Sequence, residues 1–491
     1  MSNIKQLAGQ TAVYGLSNIV ARFLNYLLVP IYTRVLLTGE YGTVSEFYGY
    51  ASFLSVIFTY GMETAFFRYA QHSEEKEKVF STAWWSLIIS SLSLALLLML
   101  FTYPLAAVTK NQQHPEYIVY FLFIIAADAI TTIPFAWLRL QNKAVRFATL
   151  KSVGIGINIL LNIFFLNGLP WLDKMGVGWA VSLHGAASGV TYIFLANIAS
   201  SVLLLPFFIR EITFLKEGFD KKLWMQMLRY GWPLLVLGLA GMVNETLDRV
   251  IMKYIIKDPV YAMQQTGIYG ANYKLSMLMT LFIQAFRFAA EPFFFSRAKE
   301  ENAPKIYAKV MQYFIMICCV IFLLVTLYID VFKIFIGSAF HEGLKVVPVL
   351  LLANLFLGVY YNLSVWYKLT DKTSYGASIT IAGAVITIVM NLLLIPSLSY
   401  MGSAWATLAC YFSITVMSYV LGQKYYPIPY EVGNAVKCIG LALVFYFIYT
   451  FMREMHTYGK IGYATLQLIG TLEFLAYGVW MLVMERKIRH T

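Results

Sequence analysis

Long apolar runs, separated by short polar segments, follow one another along almost the whole chain. A helix needs roughly 20 apolar residues to cross a bilayer, because it rises about 1.5 Å per residue through about 30 Å of hydrocarbon. Fourteen runs satisfy this length, at about residues 10–36, 43–67, 80–103, 117–138, 149–168, 176–208, 230–256, 267–295, 308–335, 346–367, 375–396, 402–422, 437–452 and 461–484. The sequence therefore predicts an all-α, polytopic membrane protein with about 14 transmembrane helices.

Charge is sparse and unevenly placed. Of the 491 residues, 59% are hydrophobic and 13% are charged, too few charges to cover the surface of a soluble protein of this size. The net charge of +12 comes from Lys and Arg in short loops, which is typical of topology signals and not of a nucleic-acid-binding face. With an even number of spans, the basic segments KAVRFATLK, RAKEENAPKIYAK and ERKIRHT share one side with both termini. The positive-inside rule makes that side cytoplasmic.

The chain also repeats itself. YGMETAFFRYA matches FRFAAEPFFFSRA at an offset of 228, and WLRLQNK matches WYKLTDK at an offset of 229. These offsets pair Glu63 with Glu291 and Trp137 with Trp366. Each copy has six spans, so both copies enter the membrane in the same orientation. We predict a six-helix bundle at 1–215, its parallel repeat at 216–424, and an additional helix pair at 425–491.

Polar and charged residues inside these runs are the candidate functional residues. A charge at the bilayer centre costs on the order of 3 kcal/mol, so it normally faces a partner or a watery cavity. In NIVARFLNYLLVP, Arg22 lies about twelve residues into the first run and shares a helix face with Asn18 and Asn25. The other candidates are Asn244, Glu245, Asp248 and Arg249 in the seventh run, Lys274, Arg287 and Glu291 in the eighth, Glu63 in the second and Asp128 in the fourth.

These charges admit two interpretations. Glu245 with Arg249, and Arg287 with Glu291, are each four residues apart and can neutralise one another along a single helix without any transport role. The candidates comprise four cations and five carboxylates, so net charge alone does not specify an anionic substrate. Most of them, however, fall on the first two helices of each repeat, which would face each other across a cleft between parallel bundles.

Motif searches exclude several chemistries. The sequence contains no G-x-x-x-x-G-K-[ST] phosphate loop and no H-E-x-x-H motif, and the four cysteines have no zinc or disulfide spacing. No loop is long enough for a soluble glycosyltransferase domain. We therefore predict a protein that is not an enzyme and has no catalytic residues, no metal site and no cofactor. A transporter of this kind uses an ion gradient, the membrane potential or the gradient of its substrate.

The segment RVLLTGEYGTVSEFYGYASFLSVIFTYGMETAFFRYA, with LDRVIMKYI and TGIYGANYKLSML in the second repeat, resembles the polysaccharide transporter branch of the multidrug/oligosaccharidyl-lipid/polysaccharide (MOP) exporter superfamily. The resemblance covers about residues 5–425. This branch contains O-antigen and capsule-precursor flippases and is related to the lipid II flippases. It implies a V-shaped pair of bundles in the bacterial cytoplasmic (inner) membrane, with the first, second, seventh and eighth helices lining a central cavity.

The resemblance implies roles for the candidates. An undecaprenyl-pyrophosphate-linked oligosaccharide would be the substrate, with Arg22, Arg249, Lys274 and Arg287 contacting pyrophosphate and Asn18, Asn25 and Asn244 contacting sugar hydroxyls. Coupling to H⁺ or Na⁺ would fall to Glu63, Asp128, Glu245, Asp248 and Glu291. The last two helices would hold the polyprenyl chain, brace the bundle or contact polysaccharide-assembly enzymes. A cation-coupled drug exporter, a lipid II flippase and a scaffold for glycan-synthesis enzymes remain alternatives.

Overall fold

A computed structural model describes residues 19–20 and 23–490, with the backbone alone for residues 487–490. The described residues form helices and no strands. The principal helices are α1 Val29–Val35, α2 Thr38–Thr59, α3 Met62–His72, α4 Lys76–Leu100, α5 Glu116–Leu140, α6 Ala144–Ile163, α7 Gly189–Leu204, α8 Lys221–Ile255, α9 Pro259–Leu275, α10 Met277–Ser296, α11 Ala303–Leu327, α12 Val347–Leu363, α13 Val365–Leu369, α14 Thr373–Leu398, α15 Tyr400–Tyr425, α16 Val432–Thr457 and α17 Tyr463–His490. Short helical segments connect them, at Thr102–Val108, Phe164–Gly168, Leu169–Lys174, Gly178–His184, Leu205–Phe208, Ile209–Ile212, Thr213–Glu217, Ile329–Phe332, Lys333–Phe335 and Ser338–Val346.

Within the described residues, 11 helical segments are long and apolar enough to cross a membrane. The multi-pass, all-helical prediction is confirmed, whereas the count of 14 is not. Of the three remaining predicted spans, 10–36 lies partly outside the described residues. The other two are helical, as α2 with α3 and as α8, but polar side chains make these helices less apolar than the eleven.

The second predicted span of each repeat is a broken helix. In the first repeat, Tyr60 and Gly61 separate α2 from α3 with φ of 35° and 72°, in the left-handed region that favours glycine. In the second repeat, Ser276 alone separates α9 from α10. The break brings the start of α3, including Glu63, onto a separately oriented helix.

The turn after the fourth span is also repeated. Asn142 and Asp371 occupy equivalent positions and have positive φ values of 57° and 55°. The following amides, of Lys143 and Lys372, each donate to a carbonyl five residues earlier at 2.9 Å. Equal turn geometry at a sequence offset of 229 supports the repeat independently of side-chain matching.

The residues form two compact units, the first ending at Ile251 and the second beginning at Met252. In the first unit, aromatic side chains of α3, α4 and α5 form the core, with Phe80 and Trp137 ring centres 5.0 Å apart. This division follows packing and not the sequence repeat, since most of α8 packs within the first unit. The repeat boundary predicted at 215/216 therefore stays a prediction.

Glycines allow α8 to approach α2 and α3 closely. A Cβ on Gly231 would lie 2.7 Å from the Tyr60 carbonyl oxygen, and one on Gly238 would lie 2.8 Å from Val56. A Cβ on Gly49 of α2 would similarly lie 2.8 Å from Val250 of α8. Small residues drive helix association in lipid by permitting backbone contact, so these glycines fix α8 against the second span.

The segment between α7 and α8 is anchored to the first unit. Arg146 donates from both terminal nitrogens to the buried Glu211 carboxylate, at 2.7 and 2.9 Å. Ser81 donates to the Gly218 carbonyl at 2.8 Å. Asp220 then caps α8 by accepting from the amides of Lys222 and Leu223, and these hydrogen bonds lower the pKa of Asp220 below its usual value.

In the second unit, the additional helices α16 and α17 pack against α11 and against each other. An ion pair joins Arg453 of α16 to Asp330, 3.0 Å apart, and Asp330 also accepts from Lys333 at 2.6 Å. Gly470 of α17 packs against the ring of Tyr449, where a Cβ would lie 2.9 Å from the ring. The helix pair is therefore part of the second unit.

We expect Gly231→Ala to destabilise the protein by about 1–3 kcal/mol, because the added methyl group meets backbone and cannot be accommodated by a side-chain rotation. The apparent melting temperature of the detergent-solubilised protein measures this effect. Gly241→Ala is the matched control on the same helix, since a Cβ there meets nothing within 4 Å. An equal melting temperature for Gly231→Ala and the native protein would contradict the close contact.

Candidate functional site

Each repeat contains an ion pair between its second and fourth spans. In the first repeat, Glu63 in the first turn of α3 pairs with Arg139 in the last turn of α5. The Arg139 guanidinium also lies over the Phe67 ring, 4.9 Å from its centre. The break at Gly61 and the end of α5 together place the two side chains within reach of each other.

The equivalent site in the second repeat contains a further cation. Glu291 Oε1 accepts from Lys368 Nζ of α13 at 2.5 Å and from Arg287 Nε, one turn earlier on α10, at 3.2 Å. The side chain of Glu291 is 39% exposed and that of Lys368 is 26% exposed. The predicted pairing of Arg287 with Glu291 is confirmed, but it belongs to a three-residue cluster and not to an isolated intrahelical pair.

The two sites are related by the sequence repeat. Glu63 and Glu291 differ by 228 positions, and Arg139 and Lys368 differ by 229. Arg139 and Lys368 are the residues that sequence reasoning missed, because cations at the end of a span look like loop charges. The signal that identifies them was available, since both lie inside the matching segments WLRLQNK and WYKLTDK.

A pocket surrounds the second site, between α10, α12 and α13. It contains about 300 Å³ of empty space, part of it open to the outside, and Arg287, Glu291, Tyr361, Asn362 and Lys368 line it. The Arg287 guanidinium lies over the Tyr361 ring at 4.6 Å, which fixes the plane of the cation. Two cations, one carboxylate and an aromatic face can bind an anionic group.

The polar segment of α8 lies toward the end of that helix. Asp248 is buried and its Oδ1 accepts from the Arg249 amide at 2.8 Å, whereas Glu245 is exposed and Asn244 and Arg249 are half-buried. The helix begins at Lys221, nine residues before the predicted start, and ends at Ile255, ten residues after Glu245. Lys274, half-buried, lies in the last turn of α9.

A hydrogen-bonded network in the first unit includes Asp128, whose Oδ1 accepts from Ser201 Oγ at 2.8 Å. That bond joins α5 to α7. One turn earlier on α7, Asn197 accepts from Asn158 of α6 at 2.8 Å and donates to the Tyr48 hydroxyl of α2 at 2.5 Å. Such side-chain bonds hold helices together in lipid, which is the structural role of this network.

Three candidates belong to the first predicted span. Asn18 and Arg22 lie outside the described residues. Asn25 is described and its side chain is exposed, just before α1. Among the predicted residues, the structure brings the side chains of Arg287 and Glu291 together.

Other potential ligands are dispersed. The described residues contain no group of three or more His, Cys, Asp or Glu side chains placed to hold a metal ion. His184 hydrogen-bonds Asp173 at 2.6 Å in a connecting segment, and all four cysteines are buried as free thiols.

Solved structures with the same fold are transporters. A lipid II flippase MurJ in an inward closed conformation matches with a TM-score of 0.71 and 14% identity, covering 95% of this chain and 98% of that one. An inward-facing multidrug resistance MATE family transporter of the MOP superfamily matches with a TM-score of 0.64 and 14% identity, covering 84% and 97%. This chain therefore has the same multi-pass helical fold as these two transporters.

The family follows from the sequence itself. The family model described as polysaccharide biosynthesis protein matches residues 7–296, more than half of the chain. This protein therefore belongs to the polysaccharide biosynthesis family, as its resemblance predicted. No curated protein matches the sequence.

We expect exchange of the charges in the first site to be tolerated better than either single change. Glu63→Arg and Arg139→Glu each place like charges together, at an expected cost of about 1–3 kcal/mol, between the values for exposed and buried pairs. The double variant restores the attraction. Apparent melting temperatures and the yield of monodisperse protein measure the effect. The same exchange at the exposed Arg297 and Glu300 pair is the control, and equal losses in all three Glu63 and Arg139 variants would show that the pair does not contribute.

Proposed function

We propose that this transporter flips an undecaprenyl-pyrophosphate-linked oligosaccharide from the cytoplasmic to the periplasmic leaflet of the bacterial inner membrane. The cargo would be a precursor of lipopolysaccharide O-antigen or capsular polysaccharide. Membership of the polysaccharide biosynthesis family supports the cargo class. The observation that supports an anionic headgroup is the pocket in which Arg287 and Lys368 share one carboxylate oxygen.

Positive and amide side chains would bind the headgroup. Arg287 presents a planar guanidinium of fixed orientation, which matches phosphate oxygens in bidentate fashion. Arg22, Arg249 and Lys274 are further candidates for pyrophosphate, on the strength of their sequence positions. Asn18, Asn25 and Asn244 supply both donors and acceptors, as sugar hydroxyls require.

Transport would proceed by alternating access, driven by an ion gradient or the membrane potential. A carboxylate in a membrane span can change charge when H⁺ or Na⁺ arrives, which makes Glu63, Asp128, Glu245, Asp248 and Glu291 candidates for coupling. Glu63 and Glu291 already have cationic partners in the structure. Arrival of an ion at either would release a basic side chain, so coupling and substrate contact would involve the same groups.

The additional helices supply a surface for the carrier lipid. Exposed apolar side chains run along both helices, including Phe447 and Phe451 on α16 and Leu475 and Val479 on α17. Such a surface suits a polyprenyl chain or membrane lipids. With both termini cytoplasmic, this pair would enter the membrane from the side on which lipid-linked precursors are made.

Two alternatives follow from the structural neighbours. Lipid II is a polyprenyl-pyrophosphate-linked sugar as well, and the likeness to a lipid II flippase extends over 95% of this chain. A multidrug exporter is favoured less, because a MATE family transporter covers 84% of the chain at a lower TM-score. For that second function the carboxylates, and not the arginines, would bind the substrate.

The experiment is the sidedness of lipid-linked glycan in cells that lack this protein. We expect the precursor to accumulate on the cytoplasmic leaflet, and the native chain to clear it, whereas Arg22→Ala and Arg287→Ala do not. Arg297→Ala is the matched control and should clear it, because Arg297 lies ten residues along the chain, has a similarly exposed side chain and does not line the pocket. Unchanged sidedness in the deletion would rule out this cargo. Loss of drug resistance in Glu63→Gln or Glu245→Gln, with normal sidedness, would establish the exporter instead.

A further inference from the structure

The pocket in the second repeat is lined by two positively charged side chains, Arg287 and Lys368, and by one negatively charged side chain, Glu291. Arg287 and Lys368 both donate to the same oxygen of Glu291, so two cations share one carboxylate. Within the described part of the chain, the Arg287 guanidinium makes no hydrogen bond other than the one from Nε. Its terminal nitrogens, and two of the three Lys368 N–H groups, are donors without an assigned acceptor.

An acceptor in the same pocket lacks a donor. Asn362 is only 5% exposed, and its Nδ2 donates to the Gly358 carbonyl at 3.2 Å. Its Oδ1 is buried and accepts no hydrogen bond from the described residues. Buried polar atoms are normally paired, so this oxygen indicates a missing hydroxyl or N–H donor. Cationic donors beside an amide acceptor complement a phosphate linked to a sugar.

The first repeat provides an internal comparison. At the offsets of 228 and 229, the counterparts of Arg287, Tyr361 and Asn362 are Thr59, Thr132 and Ile133. The Thr59 hydroxyl donates to its own helix, to the Ser55 carbonyl at 2.7 Å, and Ile133 is buried in the apolar core. Both repeats have the carboxylate, its cation and a guanidinium lying over an aromatic ring. At these positions the second repeat adds another cation and an amide oxygen that accepts no hydrogen bond from the described residues. The added groups therefore serve something beyond holding the helices together.

We propose that Glu291 is an internal placeholder in a sugar-diphosphate subsite, occupying Arg287 and Lys368 until a diphosphate group displaces it. This inference rests on the proposed function and assigns new roles to Lys368 and Asn362. Displacement requires only a change of the Glu291 rotamer, because the carboxylate and Arg287 lie one turn apart on α10. The diphosphate then accepts from both cations, and the attached sugar donates to Asn362 Oδ1.

Substitution of Glu291 is expected to raise the affinity for the ligand, whereas substitution of an ordinary binding residue lowers it. If Glu291 competes with the ligand, removing its charge frees both cations, so Glu291→Gln binds a polyprenyl diphosphate more tightly, by about tenfold or more. Lys368→Ala removes a donor and weakens binding by at least about tenfold. The affinity of the purified full-length protein in detergent for farnesyl diphosphate, measured by titration calorimetry, tests both. Uncharged farnesol separates headgroup recognition from binding of the lipid tail.

Two control variants separate failure of the proposed function from failure of the role proposed for Glu291. Glu300→Gln removes the charge of a neighbouring pair with similar exposure that does not line the pocket, and it should bind like the native protein. Lys368→Arg keeps the positive charge and should retain most of the affinity. If the native protein does not distinguish farnesyl diphosphate from farnesol, the proposed function itself fails. If the native protein binds the diphosphate but Glu291→Gln, eluting as a folded monodisperse protein, binds it equally or more weakly, only the placeholder is wrong.

Discussion

A polar group inside a bilayer must find its partner within the protein, and this requirement governs the fold. Backbone groups meet it in helices, which is why the described residues contain no strand. Charged side chains meet it in pairs. Glu63 lies just after a helix break and Glu291 lies near the end of α10, and each pairs with a cation at the end of the fourth span. Both repeats meet this requirement at equivalent positions, which explains why their sequences are most alike around these residues.

The length of the apolar runs was sufficient to predict the helical membrane architecture, and the resemblance of particular segments to a known family predicted the family. The count of spans was harder, because a helix that lines polar surroundings need not be apolar throughout. The helix α8 illustrates this. Its 35 residues include the NETLDR segment near one end and two glycines, Gly231 and Gly238, that pack closely against α2 and the break before α3. Hydropathy detects how readily a segment dissolves in lipid, whereas the position of α8 depends on close backbone contacts that no local pattern contains.

The candidate site was predicted incompletely for a similar reason. Spacing along one helix suggested that Arg287 pairs with Glu291, and it does. The stronger contact is with Lys368, which is 77 residues away in the chain. Such a contact depends on the packing of α10 against α12 and α13. The offset of the repeat carried this information, because it aligned Glu63 with Glu291 and Arg139 with Lys368, but only the three-dimensional arrangement shows that the aligned residues meet.

The difference between the two repeats suggests how a membrane protein can both bind and release an anionic headgroup. Two cations left unpaired within membrane spans would be costly, and they would hold a diphosphate too firmly for release. A carboxylate between the two cations reduces both effects. It pairs with the cations when no ligand is bound, and it competes with a bound diphosphate and so favours release. The equivalent site in the first repeat needs no such exchange, because Arg139 pairs with Glu63 and Thr59 stands where the second repeat has Arg287. The two copies therefore share a charge pair between equivalent helices, and the added polar residues of the second copy are what fit it to bind an anion.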